Sequence, residues 1–177
     1  MHLVILDRDG VINRESDAYI KSPEEWIPLP GSLEAIARLN RAGFTVVVAS
    51  NQSGVGRGLF DLNALDAIHS RMQAELAKVG GKIDTIFYCP HKPEDNCDCR
   101  KPKAGLFTQI AERYRADLKG VPAVGDSARD VTAARTAGAR PILVLTGRGR
   151  EALLALPEVE HYTDLAAAAD WLIKEIH

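Results

Sequence analysis

The sequence predicts an α/β fold: a three-layer, doubly wound parallel sheet with helices on both faces. Short, continuous apolar runs alternate with segments of helical periodicity along the whole chain. Continuous rather than alternating apolar runs are typical of strands that are buried on both faces. Strand–helix–strand crossovers of this kind are right-handed and join parallel strands. Because there is no internal repeat and no linker, we expect residues 1–177 to form one domain.

Five strands are predicted from apolar runs: 3–6, 44–49, 83–88, 121–124 and 141–145. Five helices are predicted from apolar periodicity and capping residues: 32–43, 61–80, 105–114, 128–137 and 165–176. Asp61 is the expected N-cap of the second helix. The polar loop between the first strand and the first helix is long for a connection, so we expect it to be functional.

The composition excludes several classes of protein. A net charge of -2 and an isoelectric point near 6.2 do not fit a nucleic-acid partner. No apolar stretch is long enough to cross a bilayer, and the opening run at residues 2–6 is too short for the apolar core of a signal peptide. We therefore expect a cytoplasmic protein without a membrane partner. Three cysteines, an odd number, argue against a disulfide framework.

Acidic residues follow two of the predicted strands. Asp7 and Asp9 come directly after the first, and Asp126 follows the fourth. Ligands of open parallel sheets bind outside the carboxyl ends of the strands, so these side chains should meet in one crevice. Their mutual repulsion would be relieved by a hard divalent cation such as Mg²⁺. The structural alternatives are a polar turn at 7–10 and a helix N-cap at Asp126, with Asp130 as a capping or supporting group.

The same crevice would have the parts that phosphoryl transfer needs. Asp7 can attack phosphorus as a nucleophile, and Asp9 can protonate the leaving oxygen and later activate water. Ser50, at the end of the second strand, and Lys101 can hold the phosphoryl oxygens. Taken alone, the basic segment 100–103 is more typical of a solvated loop.

A second metal site is predicted from four side chains within residues 89–99: Cys89, His91, Cys97 and Cys99. Zn²⁺ in closed structural sites takes four such ligands. We therefore predict a structural Zn²⁺ that holds this loop and delivers Arg100 and Lys101 to the crevice; the alternative is a loop with free cysteines. The remaining histidines are isolated and are predicted to be surface or edge residues: His2, His69, His161 and His177.

Four motifs in order along the chain resemble those of the haloacid dehalogenase (HAD) superfamily of phosphatases: Asp7-x-Asp9, Ser50, Lys101, and Gly125-Asp126 with Asp130. The resemblance implies a HAD-like fold and a phospho-aspartyl intermediate on Asp7. It also implies that Mg²⁺ is bound by Asp7, the backbone carbonyl of Asp9 and Asp126.

Large members of the superfamily carry a cap domain, and the intervals between these motifs are too short for one. Loops at 13–28, 51–60 and 89–103 would then set substrate specificity. The sequence does not determine the oligomeric state, and we expect a monomer.

Four segments resemble one branch of the superfamily, which contains heptose-bisphosphate and histidinol-phosphate phosphatases: 6–13, 50–58, 89–91 and 97–102. The resemblance implies hydrolysis of the 7-phosphate of a heptose 1,7-bisphosphate, a small phosphorylated sugar, in ADP-heptose and lipopolysaccharide core synthesis. It implies a set of substrate-binding residues: Arg100, Asn51, Gln52, Ser53, Asp17 and Tyr19.

Two departures bear on this resemblance. Ser127 stands where better-known superfamily members have lysine, and the interval between His91 and Cys97 is short, as in histidinol-phosphate phosphatases. The position of Ser127 is expected to act through its backbone, so that change matters little. The short interval makes histidinol phosphate the alternative substrate, although the segment 51–58 favours the heptose bisphosphate.

Two alternatives belong to other functional classes, a phospho-accepting receiver and a zinc-stabilised interaction domain. Asp9 favours an enzyme over a receiver, because an acid/base beside a phospho-aspartate drives its fast hydrolysis.

Overall fold

A parallel sheet forms the middle layer of the protein. The computed structural model describes residues 1–177. It contains six strands: β1 (His2–Leu6), β2 (Phe44–Asn51), β3 (Thr85–Cys89), β4 (Pro122–Gly125), β5 (Arg140–Val144) and β6 (His161–Tyr162). Their order is β3-β2-β1-β4-β5-β6, and every neighbouring pair is parallel. The predicted doubly wound α/β fold is confirmed.

Helices cover both faces of the sheet. They are α1 (Ser32–Arg41), α2 (Ser53–Gly56), α3 (Leu62–Lys78), α4 (Gly105–Tyr114), α5 (Ala128–Thr136), α6 (Gly149–Ala155) and α7 (Leu165–Ile176). None of them combines the length and the apolar character that crossing a bilayer requires. No large cap is inserted between the strands, as predicted.

The strand side chains alternate between two cores. Val4 and Leu6 of β1 pack into the core that contains residues of α1, α3 and α7. Leu3 and Ile5 pack into the opposite core, which contains residues of α4 and α5. Because successive strand side chains point to opposite faces, a strand buried on both faces needs a continuous apolar run. The run at residues 3–6 meets this requirement.

The structure adds elements that the sequence pattern does not indicate. α2, α6 and β6 were not predicted, and each is short; β6 has two residues. Asp61 caps α3 as predicted, since its side chain accepts a hydrogen bond from the Ala64 N–H. α1 begins at Ser32 after Gly31, whose φ is 80°.

The sheet topology places the candidate site. β1 lies between β2 and β4, so the chain order reverses on either side of β1. A crevice opens at such a switch point, outside the carboxyl ends of the strands. Leu6, Asn51 and Gly125 end these three strands. Three predicted site residues lie next to these ends in the chain: Asp7, Ser50 and Asp126.

Candidate active site

The crevice at the carboxyl ends of β1, β2 and β4 is almost entirely polar. It has a volume of about 300 Å³, and Tyr19 is the one hydrophobic residue among the 18 that line it. Every residue that the sequence predicted for catalysis, substrate binding or the Mg²⁺ site lines it: Asp7, Asp9, Asp17, Tyr19, Ser50, Asn51, Gln52, Ser53, Arg100, Lys101 and Asp126. The structure therefore brings the predicted set together, while the roles of its members stay predictions.

A sharp turn after β1 presents Asp7 and Asp9 to the crevice. The Asp7 N–H donates to the Val124 carbonyl at 2.9 Å and so continues the pairing of β1 with β4. The chain then reverses at Gly10, whose φ is 85°. Positive φ favours glycine, because glycine has no Cβ to clash with the backbone. The turn places two carboxylates at one strand end, as the spacing predicted.

Lys101 is a buried cation between two carboxylates. Its Nζ lies 2.8 Å from Asp130 Oδ1 and 3.3 Å from Asp7 Oδ1, and it also donates to the Ala49 carbonyl. Burial opposes the charged ammonium, but Asp130 and Asp7 hold the pKa of Lys101 above its usual value. The Asn51 amide fixes the Lys101 backbone, because it accepts from the Lys101 N–H at 3.0 Å and donates to the Lys101 carbonyl at 3.2 Å.

Two glycines, Gly10 and Gly147, leave the space that the Asp126 carboxylate occupies. A Cβ on Gly10 would lie 1.9 Å from Asp126 Oδ2, and a Cβ on Gly147 would lie 2.2 Å from the same atom. The Arg148 N–H donates to this oxygen at 3.0 Å. Burial and the nearby Asp130 raise the pKa of Asp126 to about 7. The alternative that Asp126 is an N-cap is wrong, because Ser127 caps α5.

Asp130 has three structural partners, Asp126, Ser127 and Lys101. Its Oδ2 accepts hydrogen bonds from the N–H groups of Asp126 and Ser127, both at 3.1 Å, and from Ser127 Oγ at 2.8 Å. Its Oδ1 pairs with Lys101. Burial opposes ionisation, but Lys101 and these donors lower the pKa of Asp130 overall. The protein therefore occupies both oxygens of Asp130, in agreement with a capping role.

Asp7 and Asp126 keep carboxylate oxygens that fit a hard divalent cation. One oxygen each from Asp7, Asp126 and Asp130 lies within 4.8 Å of the others. Asp7 Oδ2 and Asp126 Oδ1 accept no hydrogen bond from the protein, and neither does the Asp9 carbonyl. Burial and Asp130 raise the pKa of Asp7 well above its usual value. Such crowded oxygens are the ligands that Mg²⁺ takes.

The Asp9 carboxylate receives donors from several elements. Oδ1 accepts from Arg8 Nε at 2.8 Å and from Asn13 Nδ2 at 2.9 Å. Oδ2 accepts from Gln52 Nε2 at 3.4 Å. Burial opposes ionisation, but Arg8 and the amide donors lower the pKa of Asp9 overall. Gln52 also donates to Ser50 Oγ at 2.8 Å, so it joins two predicted catalytic residues.

The prediction that His69 is a surface or edge residue is wrong. His69 is buried on α3, and its Nε2 lies 3.1 Å from Arg8 Nη1. Leu65 stands four residues before it and Met72 three residues after it, so the apolar periodicity of α3 includes position 69. That periodicity is the signal that could have indicated burial. Arg8 itself is completely buried and was also missed.

Four arginines line the rim of the crevice, and three of them were not predicted. Arg148 is neutralised by Glu15 at 2.7 Å and Asp17 at 3.0 Å. Arg57, Arg100 and Arg129 form no ion pair with a carboxylate. Burial, and then the charges of Arg129 and Arg57, lower the pKa of Arg100, because nearby like charges disfavour its cationic form. An anion bound among them would relieve this repulsion.

The sulfur and nitrogen atoms of the predicted zinc set converge. Their separations are 2.9, 3.5 and 3.7 Å between sulfurs, and 3.3 and 3.5 Å from His91 Nδ1 to Cys99 and Cys89. Tetrahedral ligands of one Zn²⁺ stand about 3.5 to 3.8 Å apart. Burial opposes the thiolate of Cys97, but hydrogen bonds led by the Arg100 N–H lower its pKa to about 6. The Cys89–Cys99 and His91–Cys99 separations are shorter than this spacing, and the other three agree with it. Three thiols and an imidazole are donors that fit Zn²⁺.

The fold and this arrangement of carboxylates and lysine define a HAD-like hydrolase. The HAD-hydrolase-like family profile matches residues 98–169. A curated protein of Bordetella bronchiseptica, D-glycero-beta-D-manno-heptose-1,7-bisphosphate 7-phosphatase, is 58% identical, with 99% of each chain covered. The protein of the same name from Pseudomonas putida is 54% identical over 98% of this chain and 100% of its own length.

Solved structures give the same result. The crystal structure of D,D-heptose 1,7-bisphosphate phosphatase from B. bronchiseptica, complexed with magnesium and phosphate, superposes with a TM-score of 0.97, 58% identity and 99% coverage of both chains. The corresponding Burkholderia thailandensis structure has a TM-score of 0.77 and 49% identity, with 97% and 99% covered. The chain belongs to the family of D-glycero-beta-D-manno-heptose-1,7-bisphosphate 7-phosphatases. Membership in a phosphatase family favours the enzyme over the receiver and the interaction domain.

Proposed function

We propose that this protein hydrolyses the 7-phosphate of D-glycero-β-D-manno-heptose 1,7-bisphosphate with Asp7 as its nucleophile. One observation carries the proposal: Asp7 and Asp126 lie side by side with free carboxylate oxygens, and the Lys101 ammonium lies 3.3 Å from Asp7. Carboxylate, cation site and ammonium are the groups that position and neutralise a phosphoryl group. The names of the relatives support the substrate.

The reaction has two steps. In the first, a carboxylate oxygen of Asp7 forms a bond to phosphorus while the bond from phosphorus to the sugar oxygen breaks. Asp9 gives its proton to that departing oxygen. In the second, water attacks the phosphorus of the phospho-aspartate and loses a proton to Asp9. The bond from phosphorus to Asp7 then breaks, so that inorganic phosphate leaves and both carboxyl groups return to their initial state.

The surroundings of Asp9 suit both proton transfers. Arg8, Asn13 and Gln52 keep the Asp9 carboxylate ionised in the free site, since together they lower its pKa. A phosphate dianion that arrives beside Asp9 opposes this effect and raises the pKa again, because like charges disfavour ionisation. Asp9 would thus take up a proton when the substrate binds, and then deliver it to the leaving oxygen.

The other members of the predicted set would hold the phosphoryl group. Asp7, Asp126 and the Asp9 carbonyl would bind Mg²⁺, which when bound supplies positive charge beside the phosphoryl oxygens. Lys101 and the Ser50 hydroxyl would donate to those oxygens, and Gln52 orients Ser50. The related crystal structure contains magnesium and phosphate, which supports the binding of both by this protein.

The rim arginines support a bisphosphate over histidinol phosphate. Arg57, Arg100 and Arg129 are cations without carboxylate partners beside the reaction site. A second phosphate on the substrate would pair with them through charge-assisted hydrogen bonds. Histidinol phosphate instead carries a protonated amine near neutral pH, which three arginines would repel. Asn51, Ser53, Asp17 and Tyr19 would line the same side of the substrate.

We further propose that Cys89, His91, Cys97 and Cys99 bind a structural Zn²⁺. Four protein ligands leave no open coordination position, which is typical of structural sites. The cluster directly precedes Arg100 and Lys101, so the metal would order the loop that carries both cations. In this proposal residues 1–177 form a single-domain, monomeric, cytoplasmic enzyme that serves ADP-heptose and lipopolysaccharide core synthesis.

Phosphate release with Mg²⁺ present tests the reaction and the substrate. We expect a higher kcat/KM for the heptose 1,7-bisphosphate than for histidinol phosphate; the opposite order would contradict the substrate assignment. Asp7→Asn should lower kcat at least about a thousandfold, because it removes the nucleophile, while folding and zinc content stay unchanged. Asp66→Asn, at an exposed position of α3, is the matched control. Retained turnover in Asp7→Asn would refute the nucleophile assignment.

A second pair of variants tests the site for the other phosphate. Arg129→Gln should raise KM for the bisphosphate about tenfold or more, since a hydrogen bond between charged groups contributes about 1.5–3 kcal/mol. It should leave p-nitrophenyl phosphate, which has one phosphate, unaffected. Arg135→Gln, further along α5 and exposed, is the control. Equal effects on both substrates would count against the proposed contact.

A further inference from the structure

A buried charge network lies behind Asp9, and one of its members, His69, has no part in either proposed reaction step. Arg8 is completely buried, and each part of its guanidinium has one partner. Nε donates to Asp9 Oδ1 at 2.8 Å, Nη1 lies 3.1 Å from His69 Nε2, and Nη2 donates to Gln52 Oε1 at 3.3 Å. Asp9 is the one anion among these partners. The guanidinium plane is therefore fixed at three corners by groups from β1, α2 and α3 or from their flanking turns.

His69 acts as a hydrogen-bond acceptor in this network. Arginine has only donors, so Nε2 of His69 must present its lone pair to Arg8 and the ring proton must be on Nδ1. Burial, and then the Arg8 charge, lower the pKa of His69 to about 3, which keeps the ring neutral near pH 7. The imidazole is thus a permanent acceptor. The Tyr88 ring, with its centroid 6.2 Å away, packs against it.

The two oxygens of Asp9 are held unequally. Oδ1 accepts two short hydrogen bonds, from Arg8 Nε at 2.8 Å and Asn13 Nδ2 at 2.9 Å. Oδ2 accepts a single long one, from Gln52 at 3.4 Å. A strongly held oxygen is a poor site for a proton, whereas Oδ2 remains available. The network therefore leaves Oδ2 as the oxygen of Asp9 that can exchange a proton, and it fixes the orientation of the carboxylate.

We propose that Arg8 and His69 are positioning residues for proton transfer by Asp9: His69 orients the Arg8 guanidinium, and Arg8 fixes Asp9 Oδ1 so that Oδ2 meets the leaving oxygen. This inference rests on the acid/base role proposed for Asp9. Neither residue lines the crevice, so each would act through Asp9. Misplacement of a catalytic group by about 1 Å lowers rates about a hundredfold.

The competing explanation is that His69 only satisfies the buried Arg8. Both explanations predict some loss of stability when His69 is replaced, so stability does not separate them. They differ in leaving-group dependence. A poor leaving group needs the proton of Asp9, whereas a good one departs without it. Misplaced Asp9 therefore slows substrates with poor leaving groups selectively, while general loosening of the fold slows all substrates alike.

The experiment compares phenyl phosphate with p-nitrophenyl phosphate, whose leaving group is much more acidic. The measured quantity is kcat/KM, because it covers the steps up to departure of the leaving group and excludes hydrolysis of the phospho-enzyme. His69→Leu removes the acceptor at similar volume. We expect it to lower kcat/KM at least about tenfold for phenyl phosphate and less than about twofold for p-nitrophenyl phosphate.

Two further variants complete the set. His69→Gln restores an acceptor for Arg8 and should return both substrates to within about threefold of the wild type. Met72→Leu, buried on the same face of α3 and outside the network, should change neither. If His69→Leu does not fold, Arg8→Lys decides, since lysine keeps the charge but cannot make three planar contacts; it should show the same selective loss.

The outcomes separate this inference from the proposed function. Equal losses on both aryl phosphates, or a His69→Gln variant as impaired as His69→Leu, would overturn the positioning role. The aryl phosphates test Asp9 without reference to the sugar. If the wild type hydrolyses them but not the heptose bisphosphate, the substrate proposal fails and the positioning role is still decided by the ratio of the two losses.

Discussion

The pair between Lys101 and Asp130 gives a prediction whose size follows from burial. The side chains of Lys101 and Asp130 are 4% and 9% exposed, and their charged atoms lie 2.8 Å apart. Asp130→Asn keeps the shape and leaves one oxygen for the donors from Asp126 and Ser127. It removes the charge that compensates Lys101. Breaking a buried pair destabilises by about 3–5 kcal/mol, because one charge is left buried without its partner.

Two features of the site reduce this loss. Asp7, 3.3 Å from the ammonium, remains a partner of Lys101. The substitution also relieves repulsion, since Asp130 raises the pKa of both Asp7 and Asp126. We therefore expect the lower end of the range, about 3 kcal/mol. For a chain of this length 1 kcal/mol corresponds to about 2–4 °C, so the expected fall in Tm is about 6–12 °C.

The assay is thermal unfolding followed by circular dichroism at pH 7 without added Mg²⁺, with urea unfolding to obtain the free energy. The matched control is Asp170→Asn, which breaks the pair with Arg38 at 2.9 Å, where the side chains are 61% and 34% exposed. That exposed pair contributes less than about 1 kcal/mol. A Tm of Asp130→Asn within about 3 °C of the wild type, or equal losses in both variants, would refute the reasoning.

Three further predictions follow from the site. Gly10→Ala should raise the Mg²⁺ concentration for half-maximal phosphate release about tenfold or more, because its Cβ would displace Asp126. Gly43→Ala, which is also at positive φ but in open space, should leave this concentration unchanged. An unchanged Mg²⁺ requirement in Gly10→Ala would contradict the prediction. As pH falls below about 6.5 the unfolded chain protonates His69 before the folded protein does, so unfolding free energy should fall by up to about 1.4 kcal/mol per pH unit between about pH 6 and 4. Urea unfolding at several pH values should show that the unfolding free energy of His69→Gln falls less steeply with falling pH than that of the wild type. The same pH dependence in both proteins would contradict the burial of a neutral imidazole. Removal of zinc by a chelator should raise KM for the bisphosphate about tenfold, because Arg100 would no longer be held at the crevice. KM and zinc content are measured in parallel. A zinc-free protein with unchanged KM would exclude a role of zinc in positioning Arg100.

The fold was predictable because its signals are local. β1 and β2 are apolar runs that must be buried on both faces, and the helices between strands leave few topologies open. β6 escaped prediction because two residues carry no periodicity. Its pairing with β5 depends on where the chain returns after α6.

The candidate site was predictable to the extent that strand ends define it. Asp7, Ser50 and Asp126 follow from the rule that ligands bind outside the carboxyl ends of parallel strands. The same rule does not predict the contact between Arg8 and His69. These residues lie 61 positions apart in the chain, and only the packing of the folded protein brings them together. An arginine between two aspartates is equally compatible with a solvated turn. Only the tertiary structure shows that its charge is buried.

The scarcity of hydrocarbon in the crevice wall constrains any compound designed to block it. With Tyr19 as the one hydrophobic lining residue, a tight inhibitor cannot draw its affinity from buried apolar area and must carry several ionised groups instead. Such groups are expensive to move into an apolar phase, so potency and passive permeability are opposed in this site. Screening collections rich in uncharged aromatic compounds should yield few competitive hits, and charged phosphonates would cross an apolar phase poorly.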